Sequence, residues 1–348
     1  MAGFDYQGGG VDFPAIARNR RDRLIAAHPD LTVTIMDIGA GTVTVSSVAM
    51  GASGPVRSVA STTTHSPVTA KNYSRGLRHH TEFDRDQAGR MSITDLYKTV
   101  AAVGAGPAAG TLVEVSVFSH GFWDGPVLVN SYDHYTGRPE RDPDDKDGRV
   151  AKDFRAPNLT AAQLAQFRAA FAAGGLWWNW GCSFTDSYRQ VTHRFVNSTA
   201  YKSTPAGTLP DTTRIRFDFP QAMADDFYGD DTVFFPQATR VTSAGVTVYK
   251  DLVFERTVKD IKEFFQRGAS DSYHMAVARA AGVPVHGAFL GTYSDYEWND
   301  KRIKLPLMVI PRDKTVYGTN FGRYITMWVK DLGFAEDPEG HGYGTYRP

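Results

Sequence analysis

A chain of 348 residues with 42% hydrophobic content can bury a large core, as one big domain or two modest ones, which excludes wholesale disorder. Lys plus Arg equal Asp plus Glu at 38 each, so no global field draws the protein to nucleic acid or to an anionic membrane. The lone cysteine, Cys182, has no partner for an internal disulfide and points to a reducing compartment. The first 25 residues hold no apolar run bounded by a cleavage site, and no stretch reaches the roughly 18 apolar residues of a membrane span. The expectation is a cytoplasmic protein; secretion without a cleaved signal also fits.

From the start of the chain, residues 12 to 28 read as a helix. Arg18, Arg20, Arg21 and Arg23 lie among Ile16, Leu24 and Ile25, the pattern of a solvated helix face. Leu31 to Ile38 alternates as a strand, Gly39-Ala40-Gly41 turns, and Thr42 to Ser47 alternates again, which is hairpin behaviour. A dinucleotide loop would need a third glycine and a helix at that point, and it has neither. A helix over Ile93 to Val103 ends in the linker Gly104 to Gly110.

Two apolar strands follow, each closing on a reactive side chain: Leu112 to Ser119 ends at His120-Gly121, and Gly175 to Trp180 ends at Gly181-Cys182-Ser183. Parallel sheets leave their ligand crevice outside the carboxyl ends of the strands, so His120 and Cys182 should share one rim. Between them, Thr160 with Gln163 three residues on forms a capping-box pattern. It opens a helix with core face Leu164, Phe167 and Phe171 that ends at Gly174-Gly175. The polar stretch Tyr132 to Pro157 reads as a solvated loop. Its run of Asp142, Asp144, Asp145 and Asp147 has carboxylates at the close spacing that suits calcium, yet Lys146 takes the fifth position of an EF-hand and no Glu takes the twelfth. No metal or other cofactor is expected.

Residues 198 to 255 read as an insertion of short strands and loops. Helices are expected over Thr257 to Arg267, stopped by Gly268, and over Asp271 to Ala281, stopped by Gly282. A strand over Val283 to Leu290 leads to Gly291-Thr292, Leu305 to Ile310 forms another, and Phe321 to Leu332 a closing helix. The domain division is thus an N-terminal helix and hairpin region (1–89), a main α/β domain (90–335) and a Gly- and Pro-rich tail from Glu336 that reads as loosely held. The fold class is α/β, a three-layer sandwich on a mostly parallel sheet.

A thiol is a poor nucleophile near neutral pH unless a neighbouring imidazolium favours the thiolate, and the same imidazole can return a proton to a leaving amine. A strand ending in His-Gly, a second ending in Gly-Cys, and the 62 positions from His120 to Cys182 resemble the caspase-like cysteine peptidases. The later helix, the strand from Val283 and Gly291-Thr292 are similar to bacterial domains of that fold. The resemblance spans roughly residues 90 to 195 and 255 to 310. It implies that His120 is the general base and acid, that Cys182 is the nucleophile, and that a protein or peptide substrate is cut through a thioester. Gly121 and Cys182 would offer backbone N–H groups to the oxyanion, Asp124 and Ser183 would border the substrate, and Asp295 with Glu297 would favour a basic residue at the cleavage point.

Two other readings stand beside it. Ser183 has small neighbours suited to a serine elbow, with His120-Gly121-Phe122 as the oxyanion segment and His286 or His341 as the late histidine, although Thr185 takes the place of the usual final glycine. Alternatively, the chain is a non-catalytic binding or structural protein on the same fold, with Cys182 packed among tryptophans and His286 a satisfied core histidine.

Overall fold

A computed structural model describes residues 1–68, 89–131, 138–183, 185–204, 209–221, 231–236, 240–249, 252–296, 308–310 and 321–348. Helix α1 (Phe13–Ala27) is capped by Asp12, whose carboxylate accepts the Ala15 N–H, and leads into the meander β1 (Val33–Asp37), β2 (Thr42–Gly51) and β3 (Gly54–Thr63). Then come α2 (Ile93–Ala105), β4 (Leu112–Phe118) and the small hairpin β5 (His120–Phe122) and β6 (Gly125–Val127). Helix α3 (Ala161–Ala169) precedes β7 (Phe171–Trp180), α4 (Asp186–Asn197) and α5 (Thr199–Ser203). The insertion supplies β8 (Arg214–Asp218), β9 (Arg240–Ser243), β10 (Val246–Tyr249) and β11 (Val253–Thr257). After α6 (Val258–Asp271) and α7 (Tyr273–Ala281) the chain forms β12 (Val285–Gly287), β13 (Asp295–Tyr296), β14 (Met308–Val309) and α8 (Phe321–Thr326). A π-helical turn, Met327–Asp331, then leads to β15 (Ala335–Glu336) and β16 (Gly344–Tyr346).

The fold is mixed α/β. Its central sheet has the order β15-β16-β12-β7-β4, with β4, β7 and β12 parallel and the two C-terminal strands antiparallel. Ala2 bridges both Phe118 and Asp37, so the first residues join β4 to the N-terminal meander. The capping box at Thr160 and Gln163 is present, and Gly282 ends α7 in the left-handed region at φ 72°, where a Cβ is disfavoured.

Alternation along β7 sends its tryptophans to opposite faces. Trp177 meets Phe167 of α3 on one side, with ring centroids 6.0 Å apart. Trp178 and Trp180 stack on each other at 4.2 Å on the other, beneath the Arg20 guanidinium of α1 at 5.7 and 5.5 Å. All three indoles are fully buried.

Several expectations change. The helix before β7 stops at Ala169, and the strand runs through Gly174-Gly175: with Gly174 at φ 81°, the chain bulges out between the pairs Leu112–Phe171 and Glu114–Leu176. Helix α6 passes through Gly268 to Asp271; a Cβ at Gly268 would strike the Tyr188 ring, so glycine there permits close packing and is no stop. The arginines of α1 divide: Arg18 and Arg23 are solvated, and Arg20 and Arg21 are not. Arg20 is 6% exposed and makes bidentate bonds to both Glu114 (2.9 and 2.6 Å) and Glu339 (2.6 and 2.7 Å), and Arg21 is buried beside Asp22.

Within residues 138–157 of the polar stretch the central charges are not solvated either. Asp145, Asp147 and Asp153 are buried with Arg141 and Arg149: Arg141 pairs with Asp153, and Arg149 Nε lies 3.0 Å from Asp145 Oδ2. The region from Glu336 is not loose. Strand β16 pairs with β12, Tyr343 and Tyr346 are fully buried, and the Asp337 carboxylate accepts the N–H groups of Glu339, His341 and Tyr343. Glycines 340 and 342, both at positive φ, make the turn tight.

Candidate functional site

Strands β4 and β7 run side by side and in register to Phe118–Trp180, so the segments that follow them emerge together. They pass so close that neither tolerates a side chain at its glycine. A Cβ on Gly121 would sit 2.6 Å from the Cys182 carbonyl, and one on Gly181 would sit 2.6 Å from the Ser119 carbonyl. His120 and Cys182 therefore line one narrow cleft, shared with Gly121, Phe122, Tyr273 and His274.

His120 has a partner that sequence spacing did not reveal. Its Nε2 lies 2.9 Å from Asp5 Oδ1, and the other Asp5 oxygen accepts N–H bonds from Gly10 (2.8 Å) and Val11 (3.0 Å). Burial raises the Asp5 carboxyl, but these bonds, led by the one to His120, more than offset it and hold the group below the usual carboxylate range. The imidazole is wedged edge-on against Tyr6 and Phe13, at 4.8 and 5.1 Å. Burial lowers its pKa and Asp5 opposes the shift without reversing it, so the ring rests neutral at neutral pH. With the proton on Nε2 toward Asp5, Nδ1 is left as the acceptor nitrogen.

Cys182 is half-buried, and its sulfur accepts the Ser294 N–H at 3.4 Å. Burial pushes the thiol up to about 11; Ser294 pulls it down, and the charge of Asp295 adds to the rise. The resting thiol is thus neutral, contrary to the expectation of a thiolate held by an imidazolium. Among the described residues no hydrogen bond joins Cys182 to His120. The two side chains share the cleft as an uncharged base and an uncharged acid.

The remaining site residues divide. Asp124 sits in the β5–β6 turn, its carboxyl raised by burial, within the field of Arg149, Asp145 and Asp153; its carbonyl accepts the Val150 N–H. It holds the loop after His120 and does not line the cleft. Ser183 is fully buried with an unbonded Oγ, and its main chain exchanges bonds with Thr292 and Gly291. A nucleophile elbow needs an exposed hydroxyl, so the serine reading loses its nucleophile. Asp295 is exposed near the thiol, while Glu297 lies outside the described residues.

His286 is a buried histidine whose Nδ1 lies 3.1 Å from Thr345 Oγ1, and His341 Nε2 lies 3.2 Å from Glu339. Both pack on Trp178. Within the acidic run, Asp145 and Asp147 face Arg149 and nearby N–H and O–H donors. Asp147 Oδ1 accepts the N–H groups of Leu128 and Val129, Asp145 accepts Ser131 Oγ–H, Asp142 Oδ1 accepts the Asp144 N–H, and Asp144 is exposed. Among the described residues no group of three or more His, Cys, Asp or Glu is gathered as a metal site, and no helix is long and apolar enough to cross a membrane. The chain matches no protein-family model, no curated protein and no solved structure.

Proposed function

We propose that the protein is a cytoplasmic cysteine endopeptidase on a caspase-like three-layer α/β sandwich, with Cys182 as nucleophile, His120 as general base and acid, and Asp5 as the positioning residue. The observation that carries this reading is the Asp5–His120 bond beside Cys182 at the carboxyl ends of two parallel strands. A half-buried carboxylate that fixes the tautomer and leaves the second ring nitrogen bare is the orienting part of an acyl-transfer site.

In the reaction, Cys182 Sγ adds to the scissile carbonyl as its proton passes to His120 Nδ1. The tetrahedral intermediate collapses with cleavage of the C–N bond, and the imidazolium gives that proton to the leaving amine. Water, deprotonated by the same nitrogen, then adds to the thioester; the intermediate expels Cys182 Sγ, which takes that proton back from the imidazolium, and the carboxylic acid leaves and ionises in water. Because both groups start neutral, proton transfer accompanies attack, and there is no preformed ion pair. Asp295 at the rim suits a basic residue on the substrate.

The test is treatment of the full chain with a peptidyl acyloxymethyl ketone. Cys182 becomes alkylated, and Cys182→Ala loses both labelling and peptide turnover. Absence of labelling in the intact protein overturns the reading.

The neutral, hydrogen-bonded thiol favours one rival, a non-catalytic binding protein on this fold. Reactivity of Cys182 toward iodoacetamide separates the two when measured with and without a substrate-like peptide aldehyde. A peptidase forms a reversible thiohemiacetal that protects the sulfur, and a binding protein leaves its reactivity unchanged.

A further inference from the structure

Three hydrogen bonds tie residues 291–294 alongside the turn that carries Cys182. Gly291 N–H donates to the Ser183 carbonyl at 2.6 Å, Ser183 N–H donates to the Thr292 carbonyl at 3.1 Å, and the Ser294 hydroxyl donates to the Gly181 carbonyl at 2.7 Å. That frame aims the Ser294 N–H at the Cys182 sulfur, 3.4 Å away. Burial is the larger influence on the thiol and raises it; foremost among the groups that oppose burial is the Ser294 N–H.

The Ser294 hydroxyl has a second partner, Tyr343 Oη at 2.6 Å, and chemistry assigns the donor. A carbonyl only accepts, so the single Ser294 proton goes to Gly181 and the phenol must donate to the serine. Burial holds the phenol far above its ordinary range, so it keeps its proton at neutral and mildly alkaline pH. Tyr343 is itself firmly placed. Its ring is fully buried, edge-on to Trp178 and Trp180 at 6.0 and 5.5 Å, and its N–H and carbonyl each bond Asp337 at 2.8 Å.

A chain of fixed bonds thus runs from the C-terminal strands through Tyr343 and Ser294 to the sulfur, and it suits one state of that sulfur. An N–H bond to an ionised acceptor is about twice as strong as one to a neutral acceptor. The Ser294 bond is therefore strongest when charge sits on Sγ, during attack and again when the thioester expels it. The titratable groups around the sulfur are His120 from β5, Tyr273 and His274 from α7, Tyr293 and Asp295 on either side of Ser294, and Tyr343 behind it. None supplies a cation at neutral pH: burial keeps His120 and His274 neutral, and Asp295 opposes a thiolate. Stabilisation of the charged sulfur falls to a neutral donor.

We propose that Ser294 and Tyr343 are positioning residues for the nucleophile: the Tyr343 O–H fixes Ser294 Oγ, and Ser294 in turn holds its N–H on Cys182 Sγ, where it stabilises the developing thiolate. As a control on thiol acidity this stands without catalysis. As a part of peptide cleavage it rests on the peptidase reading.

The first experiment does not depend on catalysis. Full-length wild type, Tyr343→Phe, Ser294→Ala and Ser294→Thr are alkylated with iodoacetamide between pH 7 and 9, and the lone thiol reports alone. Raising the thiol by about one pKa unit cuts its thiolate fraction about tenfold but leaves a more nucleophilic sulfur, so the rate falls about 3-fold in Tyr343→Phe and Ser294→Ala. Ser294→Thr keeps the hydroxyl and restores the wild-type rate. Tyr346→Phe is the control for packing. That phenol is also fully buried and donates to the Ala288 carbonyl at 3.1 Å, so its loss lowers the urea midpoint and leaves the alkylation rate unchanged. An unchanged or faster rate in Tyr343→Phe, or an equal fall in Tyr346→Phe, overturns the proposal. The second experiment measures peptide turnover, in which Tyr343→Phe lowers kcat and leaves KM in place. Failure of an acyloxymethyl ketone to label Cys182 while the alkylation difference persists overturns the peptidase and spares the positioning role. Normal labelling with no alkylation difference does the reverse.

Discussion

The two faces of strand β7 contrast in how they treat polar groups. On the Trp178 and Trp180 face the buried charges are paired, although the Trp178 Nε1–H itself has no protein partner. Arg20 is clamped between Glu114 and Glu339, Ser116 Oγ takes the Trp180 Nε1–H at 3.0 Å and donates to Glu114, and His286 and His341 each have a hydrogen-bonding neighbour. On the Trp177 face, toward α7, Asn179 Nδ2 and His274 Nδ1 are buried without a protein partner. The closed face is built for stability, because a buried charge is tolerated only when its bonds are complete. The reactive pair belongs to neither interior: it lies past the strand ends, with His120 against Phe13 of α1.

The sharpest way to break the comparison is to strike the reactive strand ends and the closed face and ask which property falls. His120→Ala at the strand ends lowers peptide kcat by about 10²- to 10⁴-fold, the range for a general base, with little change in the urea midpoint. Arg20→Ala on the closed side does the reverse: it leaves Glu114 buried without its guanidinium, removes about 3–5 kcal/mol of stability by equilibrium urea unfolding, and leaves thiol labelling of Cys182 intact. If His120→Ala destabilises as much as Arg20→Ala, the division between strand ends and closed face is wrong.

A finer probe on the closed face is Thr345→Val. Isosteric loss of the hydroxyl strands His286 Nδ1, which lies 3.1 Å from it, and costs about 1–3 kcal/mol. The measurement is the same urea titration. A change below about 0.5 kcal/mol, the scale of ordinary surface substitutions, would place His286 among the tolerated open groups.

The contrast also explains what was legible in the sequence. The strands that close on His120 and Cys182, the capping box at Thr160 and the glycine stop at Gly282 are local signals, written within a few residues of where they act. The Asp5–His120 bond joins positions 115 apart, and no spacing rule reaches that far; the only hint was the glycine run at residues 8–10, whose turn aims the Gly10 and Val11 N–H groups at the carboxylate. Charges misled most. Arg20 and the Asp145–Arg149 cluster look solvated as text, because sequence displays a charge and hides its partner. The C-terminal strand was obscured for a related reason: glycines that make tight turns carry the same composition as a loose tail.

The smallest change at neutral pH belongs to His274→Phe, and its pH dependence tests the burial of that ring. Burial lowers the His274 pKa from 6.5 to about 3 in the folded protein, so below pH 6.5 the unfolded chain binds a proton that the native state refuses. Stability from this group is fully present above about pH 6.5 and is lost as pH falls toward 3, with a limiting slope of about 1.4 kcal/mol per pH unit. Replacing the imidazole with a phenyl ring removes that slope, so wild-type and variant have similar urea midpoints at pH 7.5 and the variant becomes the more stable of the two by pH 5. Parallel curves from pH 7.5 to 5 would mean that His274 accepts its proton in the native state.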